Sequence, residues 1–158
     1  MVLRIGQKVP DFSLFDSERK ERRLSEFTQK GTATVVFFPF AFSGVCDREM
    51  CAFRDGLPGL GAKGGTVIGI SVDSVFTLKI YAETYNFGFP LLSDFNKKVA
   101  KAYDILQDQW VDFGYKGVAK RAVFVVDRKG VLRYRWTSDD PEAEPPYDEV
   151  TATVSKLA

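Results

Sequence analysis

The order of its predicted elements gives this 158-residue chain an α/β fold, a three-layer domain with a mixed sheet. Two observations lead to this prediction. In the first part of the chain, short apolar and β-branched runs alternate with segments of helical periodicity, which is typical of parallel strands joined by right-handed crossovers. Near the end, two strands flank a tight turn, which predicts an antiparallel hairpin that closes the sheet.

Composition sets the limits within which a function is sought. The chain is 45% hydrophobic and 27% charged, which is ordinary for a globular protein and enough for one domain over residues 1–158. A formal net charge of +1 gives no general attraction for nucleic acid or an anionic membrane. We find no apolar run of membrane-spanning length, and residues 1–30 lack the apolar centre of a signal peptide, so we expect a cytoplasmic protein.

Two short strands and one helical turn are predicted at the start of the chain. Residues 9–15 alternate as an edge strand does, and residues 16–20 form a polar turn into a second strand or extended arm. Residues 24–27 have the pattern of a single helical turn. We expect these two N-terminal strands to be added to the sheet that the rest of the chain forms.

The sequence pattern of the central segment predicts a strand, a loop, a helix and a second strand. Residues 33–38 are β-branched and aromatic and end at Pro39, which is typical of a buried strand. We expect a helix from Cys46 to about residue 57, ended by the proline and glycines of residues 57–65. Residues 66–72 are a second buried strand.

The remaining elements complete the sheet and its cover. Asp73 or Ser74 can cap a helix that runs to about Tyr85. The further predictions are a strand at 91–93, a helix at 97–103, a loop at 104–120, hairpin strands at 122–127 and 131–137, a loop at 138–146 and a last helix from Tyr147. A thioredoxin-like arrangement with extra N-terminal strands fits this order best.

Cys46 falls where a strand turns into a helix, in the first helical turn. The backbone N–H groups of a helix start favour negative charge, so a cysteine there ionises more easily than usual, and the thiolate is the nucleophile. The structural alternative is an inert core cysteine. The chain contains no histidine, which excludes Cys–His pairs and most transition-metal sites.

Three polar or restrictive residues surround that cysteine. Pro39 fixes the backbone at the start of the loop and offers no N–H. The hydroxyl of Ser43, three residues before Cys46, can donate to a thiolate and accept from a second group. Glu49 is either a first-turn acid that favours the helix or a member of a polar network.

The stretch Phe37-Phe38-Pro39-Phe40-Ala41-Phe42-Ser43-Gly44-Val45-Cys46, with Glu49 and Phe53-Arg54-Asp55, resembles the peroxiredoxins. Arg121-Ala122-Val123-Phe124-Val125-Val126-Asp127 is similar to the segment that carries the distant active-site arginine of that family. The resemblance extends over about residues 9–137. It implies a thiol-dependent peroxidase without metal or organic cofactor, in which the catalytic residues are Pro39, Ser43, Cys46 and Arg121.

The resemblance also assigns a reaction. The Cys46 thiolate would attack one oxygen of hydrogen peroxide or an organic hydroperoxide, and Arg121, Ser43 and helix-start amides would stabilise charge on the other oxygen. The products are Cys46 sulfenic acid and water or an alcohol. Two residues depart from the family pattern: Gly44 stands where many relatives have proline and frees the loop, and Asp47 stands where threonine is common and opposes a thiolate nearby.

Cys51 lies five residues after Cys46. On an intact helix their Cα atoms would be about 8.7 Å apart, and a disulfide needs less than ~7 Å, so the first turn must unwind before the two can join. The spacing resembles the bacterioferritin comigratory (peroxiredoxin Q) subfamily, which implies that Cys51 resolves Cys46 and that a thioredoxin- or glutaredoxin-like protein reduces the disulfide. A one-cysteine enzyme, as in the similar alkyl hydroperoxide reductase E group, remains the alternative.

Other readings of the chain also remain. A thioredoxin-like thiol–disulfide oxidoreductase would share the fold but lacks Cys-x-x-Cys, and a redox sensor would not need Arg121. A homodimer is plausible by the resemblance, although monomers occur in the Q subfamily. Candidates for an apolar mouth, a subunit contact or simply the core are Phe40, Phe42, Trp110 and Phe113.

Overall fold

A mixed sheet of seven strands organises the described part of the chain. The structure is a computed structural model that describes residues 2–62, 65–110 and 114–158, without the side chains of Cys46, Leu57, Pro58, Leu60 and Ala62. The strands are β1 (Ser13–Asp16), β2 (Glu21–Arg23), β3 (Thr32–Phe37), β4 (Gly65–Ser71), β5 (Leu91–Ser93), β6 (Leu106–Gln107), β7 (Val118–Ala119), β8 (Arg121–Val126) and β9 (Leu132–Ser138). The helices are α1 (Leu24–Thr28), α2 (Val45–Ala62), α3 (Val75–Tyr85), α4 (Lys98–Ala102) and α5 (Tyr147–Leu157).

The sheet is parallel at its centre and antiparallel at both sides. β4 pairs in parallel with β3 and with β5, whereas β8 runs antiparallel to β3 and β9, and β1 runs antiparallel to β5 and β2. The carboxyl ends of β3 and β4 therefore meet at one edge of the sheet, and the loops that follow them are neighbours. The predicted mixed sheet with N-terminal strands is confirmed.

Side chains alternate between two apolar cores, one on each face of the sheet. On one face, α2, α3 and α5 contribute Met50, Phe53, Leu78, Tyr81, Val150 and Val154. On the other, α1 and α4 contribute Leu24, Phe27, Val99 and Ala100. This layered arrangement is the three-layer α/β fold that the element order predicts.

Gly69 lets helix α2 approach the sheet closely. A Cβ added at this β4 residue would lie 2.7 Å from Cε of Met50 and 2.7 Å from Cδ2 of Leu91, so these two side chains would have to shift to make room for a larger residue. This close approach is at Met50, in the second turn of α2, four residues after Cys46.

The structure corrects three predicted boundaries. Helix α2 does not end near residue 57 but continues to Ala62, because packing of its apolar face, with Met50 and Phe53, overrides the local effect of Pro58. The loop predicted at 104–120 contains β6 and β7, which pair antiparallel. The first strand begins at Ser13 rather than Val9, since the Val9 N–H bonds to the Gly130 carbonyl of the β8–β9 turn.

The caps of α3 follow from local chemistry. Ser74 is the N-cap, and its hydroxyl oxygen accepts from the Thr77 N–H at 3.2 Å. Asn86 ends the helix in the left-handed conformation, at φ +60°, which asparagine adopts more readily than most residues. Tyr85 is consequently the last helical residue.

Among the described residues, none of the helices is long and apolar enough to cross a membrane.

Candidate active site

The loop from β3 to α2 carries Pro39 and Ser43. It ends at Gly44, and α2 begins at Val45, the residue before Cys46. Pro39 is buried, whereas Ser43 is exposed. Cys46 is the second residue of α2, at the helix start that the sequence predicts. Its side chain lies outside the described part of the chain.

Asp73 ties this loop to the end of β4. Its Oδ2 accepts from the Ala41 N–H at 2.8 Å and from the Ser71 hydroxyl at 2.7 Å. Burial raises the pKa of Asp73, and these two hydrogen bonds oppose the rise. The carboxylate thus holds the middle of the loop against the neighbouring strand.

The loop backbone turns through two residues with positive φ. Phe42 has φ +65° and Gly44 has φ +79°, a region that glycine adopts without strain and phenylalanine does not. The Phe42 ring contacts Tyr81, with centroids 4.8 Å apart, and this contact holds the strained residue in place. Gly44 is therefore a residue that the turn requires.

Ser43 donates its hydroxyl proton within the loop. Its Oγ lies 2.7 Å from the carbonyl oxygen of Phe40. Since a hydroxyl has one proton, its oxygen is left to accept from a second group, and donation to a thiolate would require the hydroxyl to rotate.

Arg121 and Glu49 form a buried ion pair beside the helix start. Arg121 is the first residue of β8, and its Nη1 donates to Oε2 of Glu49 at 3.0 Å. Its Nε donates to the carbonyl oxygen of Pro141 at 2.6 Å. Arg121 is 2% exposed and Glu49 is 0% exposed, so the pair is almost fully removed from water. Of the two roles open for Glu49, the structure supports the polar network.

The burial of Glu49 controls its charge. Burial raises the pKa of Glu49 to about 8, while the charge and the hydrogen bond of Arg121 act in the opposite direction and Glu144 adds to the rise. The second carboxyl oxygen, Oε1, is buried without a hydrogen-bond partner among the described residues. Burial and Arg121 therefore act against each other on the charge of this carboxyl.

The opposite face of α2 carries Asp47 and Cys51. Asp47 Oδ2 accepts from the Tyr85 hydroxyl at 3.2 Å and from the Gly44 N–H at 3.3 Å. Cys51 is a half-buried free thiol, and burial raises the pKa of that thiol. Cys51 therefore favours its protonated form while the helix is intact.

Aromatic side chains lie on one side of the loop. The Phe40 ring is 5.4 Å from that of Trp110 and 5.6 Å from that of Tyr115, between centroids. Phe42 lies apart from them, against Tyr81, and is 46% exposed. Phe113, the remaining aromatic candidate, lies outside the described residues.

Sequence reasoning missed Asp73 and Tyr85. The sequence predicts Asp73 or Ser74 as the cap of α3, and Ser74 is the cap. The sequence does contain a sign that Asp73 instead binds the Pro39 loop. Asp73 lies two residues after the end of β4, at the sheet edge where the Pro39 loop leaves β3. Tyr85 gives no such signal, because its partner Asp47 is 38 residues away in sequence.

Comparison with solved structures defines the class of protein. A peroxidoxin, BcpB, from Mycobacterium tuberculosis is 29% identical, with a TM-score of 0.87, and 99% of each chain is covered. A peroxiredoxin-like protein from Aquifex aeolicus is 25% identical, with a TM-score of 0.89 over 100% of this chain and 90% of the other. The fold is thus the thioredoxin-like fold of peroxiredoxins, as predicted.

Sequence comparison gives the family. Residues 5–135 match the AhpC/TSA family. A protein named alkyl hydroperoxide reductase E from Mycobacterium tuberculosis is 37% identical over 135 residues, 84% of each chain. The chain belongs to the AhpC/TSA family and is a peroxiredoxin, a thiol-dependent peroxidase.

Proposed function

We propose that Cys46 is the nucleophile that reduces hydrogen peroxide and organic hydroperoxides, and that Cys51 then resolves it. The observation that supports this most is the buried Arg121–Glu49 pair. Glu49 follows Cys46 by three residues, and residues three apart on a helix are neighbours, with about 5–6 Å between their Cβ atoms. The ion pair therefore holds a permanent positive charge next to the helical position of Cys46.

In the proposed first step, the Cys46 thiolate attacks one peroxide oxygen. A sulfur–oxygen bond forms, the oxygen–oxygen bond breaks, and the leaving oxygen takes a proton to become water or an alcohol. A guanidinium has five N–H donors, and among the described residues the bonds to Glu49 and Pro141 use two of them. The others suit an oxygen that gains charge in the transition state.

Pro39, Ser43 and Asp73 would shape the loop for this step. Because the Ser43 proton is directed to Phe40, its oxygen would accept a hydrogen bond from a protonated peroxide oxygen. Pro39 and the Asp73–Ala41 hydrogen bond keep the loop in one conformation, which reduces the entropy that substrate positioning must overcome.

In the proposed second step, the Cys51 sulfur attacks the Cys46 sulfenic acid. A sulfur–sulfur bond forms, the sulfur–oxygen bond breaks, and the thiol proton leaves with the hydroxyl as water. A thioredoxin- or glutaredoxin-like protein would return the disulfide to two thiols. The cytoplasmic location, the homodimer and the single-domain extent over residues 1–158 stay predictions from the sequence.

The experiment that tests this function is the intact mass after stoichiometric peroxide, with and without alkylation of thiols. We expect a loss of two hydrogens with both cysteines blocked to alkylation, and a gain of one oxygen at Cys46 in the Cys51→Ser variant. A gain of one oxygen in the native chain, with Cys51 still alkylated, would instead establish a one-cysteine enzyme. No rapid change at Cys46 would contradict the proposal as a whole.

A further inference from the structure

Tyr85, the last residue of α3, contacts helix α2 at two points. Its hydroxyl donates to Asp47 Oδ2 at 3.2 Å, and its carbonyl oxygen accepts from Arg54 Nη1 at 2.7 Å. These points are seven residues apart on α2, which is about two helical turns. One residue of α3 thus spans the first turns of the helix that begins beside Cys46.

Cys51 lies on the face of α2 that Tyr85 spans. Asp47, Cys51 and Arg54 have the spacing i, i+4, i+7, which places them in one stripe along a helix. Cys51 therefore stands between the two contact points of Tyr85. The thiol is half-buried there.

We propose that Tyr85 is a positioning residue that keeps the first two turns of α2 wound and so sets how fast Cys51 can reach Cys46. This proposal rests on the proposed function. The two cysteines are about 8.7 Å apart between Cα atoms on an ideal helix, which is too far for a disulfide. The helix between them must unwind, and the unwinding segment is the one that Tyr85 spans.

The two ends of this contact differ in strength. The bond from Arg54 is short, at 2.7 Å, whereas both bonds to Asp47 are long, at 3.2 and 3.3 Å. Asp47 Oδ1 is also buried without a hydrogen-bond partner among the described residues, which disfavours the wound state. Unwinding therefore begins at Asp47, next to Cys46, while the Arg54 end stays attached.

The burial of Cys51 also couples its reactivity to the unwinding of the helix. Burial raises the pKa of the Cys51 thiol, Asp55 and Asp47 add to the rise, and Arg54 opposes it. The hydroxyl of Tyr85, on the element packed against this face, is directed at Asp47. Exposure to water on unwinding would remove the burial contribution, so the same motion frees the thiol and favours its reactive form.

The rate of unwinding decides between two fates of the Cys46 sulfenic acid. If Cys51 arrives first, the disulfide and one water form. If a second hydroperoxide arrives first, its oxygen is transferred to the sulfur, which gives the sulfinic acid and a second water or alcohol. A tighter hold by Tyr85 slows the first route and leaves the second unchanged.

The test is the variant Tyr85→Phe, which keeps the ring and removes the hydroxyl. Its matched control is Tyr134→Phe, because Tyr134 also donates to a carboxylate of another element, Glu149, at 2.8 Å. Disulfide and sulfinic acid are measured by mass after rapid quenching over a range of hydrogen peroxide concentrations. Hydrogen–deuterium exchange of the amides of residues 45–54 is measured in the reduced proteins.

We expect Tyr85→Phe to form the disulfide and to exchange these amides about three- to tenfold faster, as the loss of one hydrogen bond implies. The sulfinic fraction should fall accordingly, and sulfenic acid should form within about twofold of the native rate, as in Tyr134→Phe. Equal disulfide and exchange rates in the two variants would overturn the proposal. If the native chain forms sulfenic acid but no disulfide, the resolving role of Cys51 fails, and amide exchange alone then decides whether Tyr85 holds the helix.

Discussion

The two faces of helix α2 near Cys46 are built in opposite ways. On the arginine face, formed by Glu49 and Arg121, the groups are almost fully buried and the bonds measure 2.6 and 3.0 Å. On the tyrosine face, formed by Asp47, Cys51, Arg54 and Tyr85, the groups are partly exposed. Its bonds to Asp47 are 3.2 Å or longer, although the Arg54–Tyr85 bond measures 2.7 Å. One face is built to keep its geometry, and the other to release it.

This difference follows from the two steps of the proposed reaction. Peroxide reduction needs donors that do not move while charge develops, because a preorganised site avoids reorganisation. Resolution needs part of the same helix to unwind. The arginine of the arginine face belongs to strand β8 of the sheet, whereas the tyrosine face contacts Tyr85 at the end of α3.

Of the substitutions on these two faces, we expect Arg121→Ala to lower stability and activity the most. Arg121→Ala leaves Glu49 buried without its partner, and we expect a loss of about 3–5 kcal/mol of unfolding free energy, measured in urea. Peroxide reduction should also fall sharply.

The control Arg54→Ala removes a half-exposed arginine from the tyrosine face and should lower the unfolding free energy less. Adding Glu49→Gln to Arg121→Ala should restore part of the stability but not the activity; a stable single variant would contradict this account.

Glu49→Gln should change how stability depends on pH. In the unfolded chain Glu49 loses its proton near its ordinary pKa of 4.5, whereas in the folded chain its pKa is raised to about 8. Between these values the folded state binds more protons, so native stability falls as pH rises through this window. The variant lacks that loss, and its stability relative to the native chain should grow from pH 5 to pH 8. A constant difference in urea denaturation would show that Glu49 is ionised throughout.

Asp47→Asn should have the smallest effect and should separate charge from hydrogen bonding. The amide oxygen can still accept from Tyr85 and Gly44, so helix stability should be nearly unchanged, whereas Asp47→Ala should cost about 1 kcal/mol. Loss of the negative charge beside Cys46 should move the pH midpoint of its oxidation to lower pH. An unchanged midpoint would mean that solvent screens the carboxylate from the thiolate.

Sequence reasoning found the parts of the molecule that local patterns encode. The buried strand before Pro39, the helix start at Cys46 and the Arg121 hairpin each carry their own signal, through β-branched runs, capping and turn residues. It did not find the contacts between distant elements. The Tyr85–Asp47 bond and the Asp73–Ala41 bond join residues 38 and 32 positions apart, and no periodicity relates them.

The breaker residues around Pro58 illustrate the same limit. Proline and glycine weaken a helix locally, which is why the sequence predicts an end near residue 57. Helix α2 continues to Ala62, since its apolar face, with Met50 and Phe53, is already anchored on the sheet. Tertiary packing has overridden the local preference.

The position of Arg121 has a consequence for how the molecule acquires its reactivity. Its bond to Glu49 joins residues 72 positions apart, and it depends on the pairing of β3 with β8. Closing so long a loop loses entropy before any contact compensates for it, so such pairings form slowly relative to local turns and helices. During synthesis, Cys46 leaves the ribosome long before Arg121. The nascent chain therefore holds its cysteine without the arginine, and under the role proposed for Arg121 it becomes a peroxidase only once the sheet has closed.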